Sequence, residues 1–288
     1  MFGFLNIYKP VGMTSHDVVA YLRRVTKIKQ IGHTGTLDPF AQGVLPIAIG
    51  KATRLIEYLD DDKAYIGRFC FGKSTTTYDI EGEVVKVYDE KITEQDIINL
   101  PLPQGEIEQY PPVYSAKKIN GKKLYELARE GKGVNEIDIK PCKITIYEMK
   151  LIEFNEEEQW ADIYVKCSKG TYIRSLANDL GKSLNNACYL SKLERVQAGL
   201  FKVEDAIKLD ELEVIEDVEK NIANPTEYLP LIKQELNETE YNRIIHGMPV
   251  YNRTGAKEGF VQLVKDNKLI AVSEVADTGL KAKKVVAE

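Results

Sequence analysis

Gly32-His33-Thr34-Gly35-Thr36-Leu37-Asp38-Pro39 sits inside a stretch, 28–42, that has neither the 3.6-residue period of a helix nor the alternation of a strand. Gly32, Gly35 and Pro39 punctuate it, and Gly43 follows it. A loop this long between ordered elements points to function rather than to simple connection. Pro39 biases Asp38 toward an extended backbone, and the glycines allow a ligand to come close. One reading of Asp38 is therefore a fixed, ligand-facing carboxylate. The other is that Asp38-Pro39 only starts a turn, and residue chemistry alone leaves both open.

The elements flanking this loop set the fold class. Upstream, 4–9 reads as a short strand broken by Pro10-Val11-Gly12, and Thr14-Ser15-His16-Asp17 offers N-cap chemistry for a helix to about 25. Downstream, the apolar stretch 44–49 leads into an expected helix over 52–59, and 65–71 and 83–88 read as paired strands around Gly82. A short helix starts at Thr93, another spans 124–131 and stops at Gly131, 144–154 and 160–167 form a hairpin, and a helix runs over 172–184. The acidic, Pro225-terminated stretch 210–226 reads as a linker. Beyond it come a short helix capped by Asn237 and a hairpin around Asp266-Asn267-Lys268. The expectation is an α+β protein: a mixed, largely antiparallel sheet flanked by helices over 1–225, then a small β module over 226–288.

With 43% hydrophobic and 29% charged residues in 288, the chain has a globular composition with no low-complexity tract. A net charge of -5 argues against non-specific coating of nucleic acid, which depends on many Lys and Arg contacts to phosphate. Charge is segregated, however: Lys117, Lys118, Lys122, Lys123, Arg129 and Lys132 cluster, and Tyr114 and Tyr125 among them suit stacking. The segment 110–135 is read as an RNA-gripping insertion. Cys70, Cys142, Cys167 and Cys188 form no C-x-x-C pair, and three histidines are too few for a convincing transition-metal site, so metal-free chemistry without a cofactor is expected. No secretory leader or membrane span is read in the sequence, which places the chain in the cytoplasm as an expectation.

Two decoys are set aside. Gly67-Arg68-Phe69-Cys70-Phe71-Gly72-Lys73-Ser74 satisfies the phosphate-loop pattern, but its interior alternates like a strand and 75–82 has no helical pattern to face a phosphate. Thr14-Ser15-His16 suggests a hydrolase, but neighbours at a helix start point in different directions, so capping is the better reading.

Gly32 through Pro39, followed by Gly43-Val44-Leu45-Pro46, resembles the catalytic segment of the bacterial tRNA pseudouridine synthase B (TruB) family. The likeness extends to Asn6-Ile7-Tyr8-Lys9-Pro10-Val11-Gly12-Met13-Thr14-Ser15, Lys63-Ala64-Tyr65 and 72–82. It continues in Pro111-Pro112-Val113-Tyr114-Ser115-Ala116-Lys117-Lys118 with Gly121, in Lys169-Gly170-Thr171-Tyr172-Ile173-Arg174-Ser175-Leu176, and in Leu193-Glu194-Arg195 with Gly199 and Phe201. Two positions depart: Glu194 stands where an arginine is common and Cys188 where a histidine is common. Neither belongs to the set Asp38, Tyr65 and Arg174.

The resemblance implies a pseudouridine synthase fold with a small β-barrel RNA-binding module of the PUA type over about 228–288. It implies transfer of uracil's attachment from N1 to C5 on one ribose in the T arm of tRNA, at position 55. Asp38 is then the essential carboxylate, Tyr65 stacks on the uracil near the C5 proton, and Arg174 pairs with Asp38 and holds it as an anion. Without the family, Tyr65 reads as a core strand tyrosine and Arg174 as a surface helix charge. A uridine in a folded T loop must be flipped out to be reached, and His33 is implied to occupy the vacated stack. Lys9, Tyr172, Leu193, Lys117 and Lys118 complete the implied RNA contacts, with the protein expected to act as a monomer needing no protein partner. Rival readings are a non-catalytic tRNA-folding chaperone, a guide-RNA-dependent ribosomal RNA enzyme, and a phosphate-loop NTPase.

Overall fold

The computed structural model describes residues 1–115, 117–119, 122–124 and 139–287. The chain forms two compact units, Met1–Asp38 with Gly43–Asp60 and Ala198–Glu288, and Pro39–Gln42 with Asp61–Gln197.

In the first unit, strand β1 (Gly3–Lys9) pairs antiparallel along its whole length with β3 (Gln42–Ile49), from Gly3 opposite Ile49 to Lys9 opposite Gly43. Part of the expected loop is itself a strand: β2 (Ile31–His33) pairs antiparallel with β3, placing His33 opposite Ile47. Three residues cannot show a period, so this strand was invisible to pattern. Helix α1 (Ser15–Thr26) starts as the sequence predicts. The Thr14 hydroxyl accepts from Asp17 N and the Asp17 carboxylate accepts from Thr14 N, a capping box that satisfies end donors and contributes about 1 kcal/mol. Val18, Val19 and Leu22 on one face of α1 bury against Leu5, Ile7, Leu45 and Ile47. The helix expected over 52–59 is a 3-10 helix, Gly50–Tyr58, burying Ala52, Leu55 and Tyr58.

The second unit is built on β4 (Lys63–Phe71), β5 (Lys73–Thr75), β6 (Val84–Val87), β7 (Gly105–Gln109), β8 (Lys118–Ile119), β9 (Lys122–Lys123), β10 (Cys142–Asn155), β11 (Trp160–Cys167) and β12 (Cys188–Ala198). The strand order is β12-β4-β11-β10-β7. The pairings β4 with β11, β11 with β10 and β10 with β7 are antiparallel. The hairpin expected over 144–167 is therefore present. The strand expected over 83–88 is also present but has a different partner: β6 pairs with β5, while β4 pairs with β11. Gly72, at φ +87, breaks the run between β4 and β5, a backbone region that L side chains avoid. The phosphate-loop decoy thus spans two strands with no helix following. Helix α2 (Glu94–Asn99) carries a Thr93 capping box, and α3 (Ile173–Ser183) buries Ile173, Leu176, Ala177 and Leu180. The helix expected over 124–131 lies outside the described residues except for Leu124, as do Tyr125, Arg129 and Lys132 of the basic cluster.

Where the chain returns to the first unit, β13 (Phe201–Lys202) is followed by β14 (Ile207–Lys208), which pairs parallel with β1. The stretch 210–226, expected as a linker, holds α4 (Ile215–Asn221) and the start of α5 (Pro225–Tyr228), and Ala223 bonds to Phe4 through both backbone groups. Its acidic surface hides Leu212 and Val218, both fully buried, which is why composition alone suggested a linker. A four-stranded sheet follows in the order β15 (Ile232–Glu235), β16 (Phe260–Lys265), β17 (Lys268–Ala276) and β18 (Gly279–Val285), with α6 (Glu238–Ile245) between β15 and β16. Its central hairpin turns on Asp266 and Asn267, both at positive φ, as an I′-type connection requires. No pairing joins β15 to β18 among the described residues.

Candidate active site

Asp38 follows Leu37, and Leu37 is held unusually well. Ser15 Oγ accepts from Leu37 N at 2.8 Å and lies 3.2 Å from Leu37 O, to which it donates. Both residues are buried. The first residue of α1 thus grips the peptide next to the acid, while Asp38 itself is half-buried. Ser15 does more than cap a helix, which is all the sequence suggested for that segment. On the other side of the loop, Thr34 N donates to Pro46 O at 3.1 Å, continuing the pairing of β2 with β3. The glycines of the loop differ in what their places demand. A Cβ on Gly32 would meet its nearest neighbours at 3.9 Å, ordinary contact, whereas Gly43 takes φ +105 and its place opposite Lys9 depends on being glycine.

Lys9, expected at the RNA, is fully buried, and its ammonium donates to Pro10 O at 2.8 Å and Met13 O at 2.6 Å. These bonds tie down the turn before α1. His33 is half-buried on β2.

In the second unit, Tyr65 stands on β4 opposite Val165 of β11 and is 7% exposed. Arg174, in the first turn of α3, is buried rather than a surface helix charge. Its guanidinium donates to Thr77 O at 3.2 Å and Tyr114 O at 3.1 Å and lies 3.2 Å from the Asp79 carboxylate. Asp79 is a functional candidate that sequence reasoning missed. It is 3% exposed and accepts from the Thr77 hydroxyl and from Glu81 N, as well as facing Arg174. Buried charges need this kind of pairing and hydrogen bonding to be tolerated. The signal was faint: Thr75-Thr76-Thr77-Tyr78-Asp79 is turn chemistry, and Tyr78 adopts φ +63 within it. A Cβ on Gly82 would lie 2.5 Å from Thr77 Oγ1, so that turn has no room for a side chain there.

Tyr172, two residues before Arg174, is the half-buried N-cap of α3, and Leu193 is buried on β12. Lys117 turns its ammonium to Cys142 Sγ at 2.7 Å and Lys140 O at 3.2 Å. Lys118 begins β8. Burial raises the thiols of Cys167, to about 11, and of Cys188, which keeps both as unreactive neutral groups at neutral pH. Among the described residues, no group of three or more His, Cys, Asp or Glu side chains is placed to hold a metal ion, and no helix is long and apolar enough to cross a membrane.

The family model described as TruB family pseudouridylate synthase (N terminal domain) matches residues 23–173, a span that contains Asp38, Asp79 and Tyr65. The chain belongs to the TruB family. Its relatives include a tRNA pseudouridine synthase B of Caldanaerobacter subterraneus subsp. tengcongensis, 39% identical over 278 residues that cover 96% of this chain and 95% of the relative. Another, from Clostridium perfringens, is 43% identical over 279 residues, covering 95% and 92% respectively. Among solved structures, the TruB-family chain is similar to one titled "Crystal Structure of a Cbf5-Nop10-Gar1 Complex", with a TM-score of 0.74 and 26% identity over 99% of this chain and 84% of that one. It shares its fold with a chain of an H/ACA RNP bound to a substrate RNA containing 2'-deoxyuridine, at TM-score 0.75 and 24% identity over 100% and 86%.

Proposed function

We propose that this chain converts a uridine of tRNA to pseudouridine, at position 55 of the T arm. The observation that carries this reading is the match over nearly the full length of both partners to relatives named tRNA pseudouridine synthase B. In the reaction the bond from C1′ to N1 breaks, the bond from C1′ to C5 forms, N1 gains a proton and C5 loses one. No electron is gained or lost overall.

Asp38 is the carboxylate that acts on C6 or on the ribose, and the Ser15 clamp on Leu37 fixes where it stands. Tyr65 stacks on the extruded uracil near the C5 proton. Arg174 supplies positive charge to the reaction, and its bonds to Asp79, Thr77 and Tyr114 set its direction. His33 fills the stack the flipped base leaves. Tyr172, Leu193, Lys117, Lys118 and the rest of 110–135 contact the RNA. The catalytic domain is 1–225, and 226–288 is a PUA-like RNA-binding barrel. The enzyme works in the cytoplasm as a monomer, with no protein partner or cofactor.

The test is incubation of purified protein with unmodified tRNA, without ATP, added metal or guide RNA, followed by mapping of pseudouridine. Product confined to the T loop supports the reading. Improved tRNA folding without product favours the chaperone, product only with a guide RNA favours the ribonucleoprotein class, and ATP hydrolysis lost in Lys73→Ala restores the NTPase.

A further inference from the structure

Helix α3 begins without the usual help: Tyr172 is its N-cap and makes no side-chain cap bond. The peptide groups of Tyr172 are held from outside instead. Gln109, at the end of β7 and 2% exposed, accepts from Tyr172 N at 2.8 Å through Oε1 and donates to Tyr172 O at 3.1 Å through Nε2. A side-chain amide that meets one residue's N–H and C=O together imitates a strand neighbour and fixes that residue's orientation. Two more bonds follow from the same stretch: Ser175 Oγ donates to Tyr110 O at 2.8 Å, and Arg174 Nη2 donates to Tyr114 O at 3.1 Å. Residues 109–114 therefore strap residues 172, 174 and 175, and Gln109 is the strap's buried anchor.

We propose that Gln109 is a positioning residue for the reaction: it fixes the start of α3, and so the direction of the Arg174 guanidinium, and couples both to the segment read as gripping RNA. This rests on the reading of Arg174 as a participant in pseudouridine formation. The strap is covalently continuous with Lys117 and Lys118, so a pull on the RNA-gripping segment reaches Arg174 through the Tyr114 carbonyl, and Gln109 prevents the whole turn from following. Glutamine suits the position because its amide has both a donor and an acceptor. Methionine has neither in useful strength, and an ionised glutamate lacks the donor and repels Tyr172 O. Protonated glutamic acid restores both bonds.

The experiment compares wild type, Gln109→Met, Gln109→Glu and Ser175→Ala in single-turnover pseudouridine formation on a full tRNA transcript, with tRNA Kd and Tm measured alongside. At saturating tRNA, Gln109→Met is expected to slow turnover by about tenfold or more, as misplacing a catalytic group does, with Kd changed by less than about threefold. Ser175→Ala is expected to slow it less. For Gln109→Glu, the rate relative to wild type at each pH is expected to rise as pH falls from about 8 to about 6, because burial favours the protonated acid. A purely structural glutamine would lower Tm without that pH signature. Should Gln109→Met fail to fold, the Gln109→Glu ratio and Ser175→Ala still decide. A pH-independent ratio, or wild-type rates in the folded variants, overturns this inference alone. Absence of product from wild type overturns the functional reading beneath it.

Discussion

The two units each contain a turn built around an aspartate, and the described fastening falls on a neighbour's main chain in one and on the acid itself in the other. Around Asp38, the neighbouring peptide is fixed: Ser15 grips both polar atoms of Leu37. Around Asp79, the carboxylate is itself the fastener, buried and bonded to the Thr77 hydroxyl, Glu81 N and the Arg174 guanidinium. A clamp on the main chain fixes where an acid stands whatever its oxygens meet, which suits the role proposed for Asp38. An acid that only aims another residue gains from being surrounded.

If that contrast holds, substitutions in the two turns should fail differently. Asp38→Asn is expected to lower the single-turnover rate by about 10⁴-fold or more, with Tm and tRNA affinity little changed. Near-normal turnover in this variant would remove Asp38 from the chemistry. Asp79→Asn should cost both folding and rate, because it removes the carboxylate charge 3.2 Å from the buried Arg174 guanidinium: about 3 kcal/mol of stability, seen as a Tm lower by about 6–12 °C, and a rate about 10–100-fold slower. An unchanged Tm would mean that the pair does not carry the turn. Ser15→Ala, which removes two bonds to Leu37, is expected to cost about 1–2 kcal/mol and to slow catalysis about tenfold with Kd unaltered. A rise in Kd instead would make Ser15 a binding residue.

The smallest effect lies away from both turns, in the C-terminal sheet region. The hydrogen bond from Arg253, against some burial, holds the Glu240 carboxyl below its ordinary value of 4.5. A carboxyl whose folded value is depressed contributes stability that is fully present above the unfolded value and is lost as pH falls through the folded one. Wild type should therefore exceed Glu240→Gln in Tm at neutral pH, and the gap should narrow below about pH 4.5. A gap that is constant with pH would show that shape, not charge, matters at that site.

Local signals were legible in the sequence, and partner choice was not. Thr14 and Asp17 announced the start of α1, Asn237 and Glu240 that of α6, and alternation gave the hairpin of β10 and β11. Alternation also marked β6 as a strand, but period 2 says which residues share a face and nothing about which strand lies alongside, so its pairing with β5 was missed. In the site, the distinctive loop drew attention to Asp38, whereas Asp79 and Gln109 sit in ordinary turn and strand-end sequence. Their contacts exist only because distant segments, 77–81 and 109–114, converge on the first turn of α3 and its N-cap, and no spacing rule encodes that. Residues 210–226 show the converse error: acidic surface composition masked a few buried apolar side chains that make the stretch part of the fold.

The buried Lys9 ammonium gives the molecule a built-in reporter. Amine-reactive reagents modify lysines at the surface, and Lys9, with no exposed area and two carbonyls on its nitrogen, is shielded while the turn from Pro10 to Met13 is closed. Its labelling rate under native conditions thus counts the openings of that turn without any introduced probe.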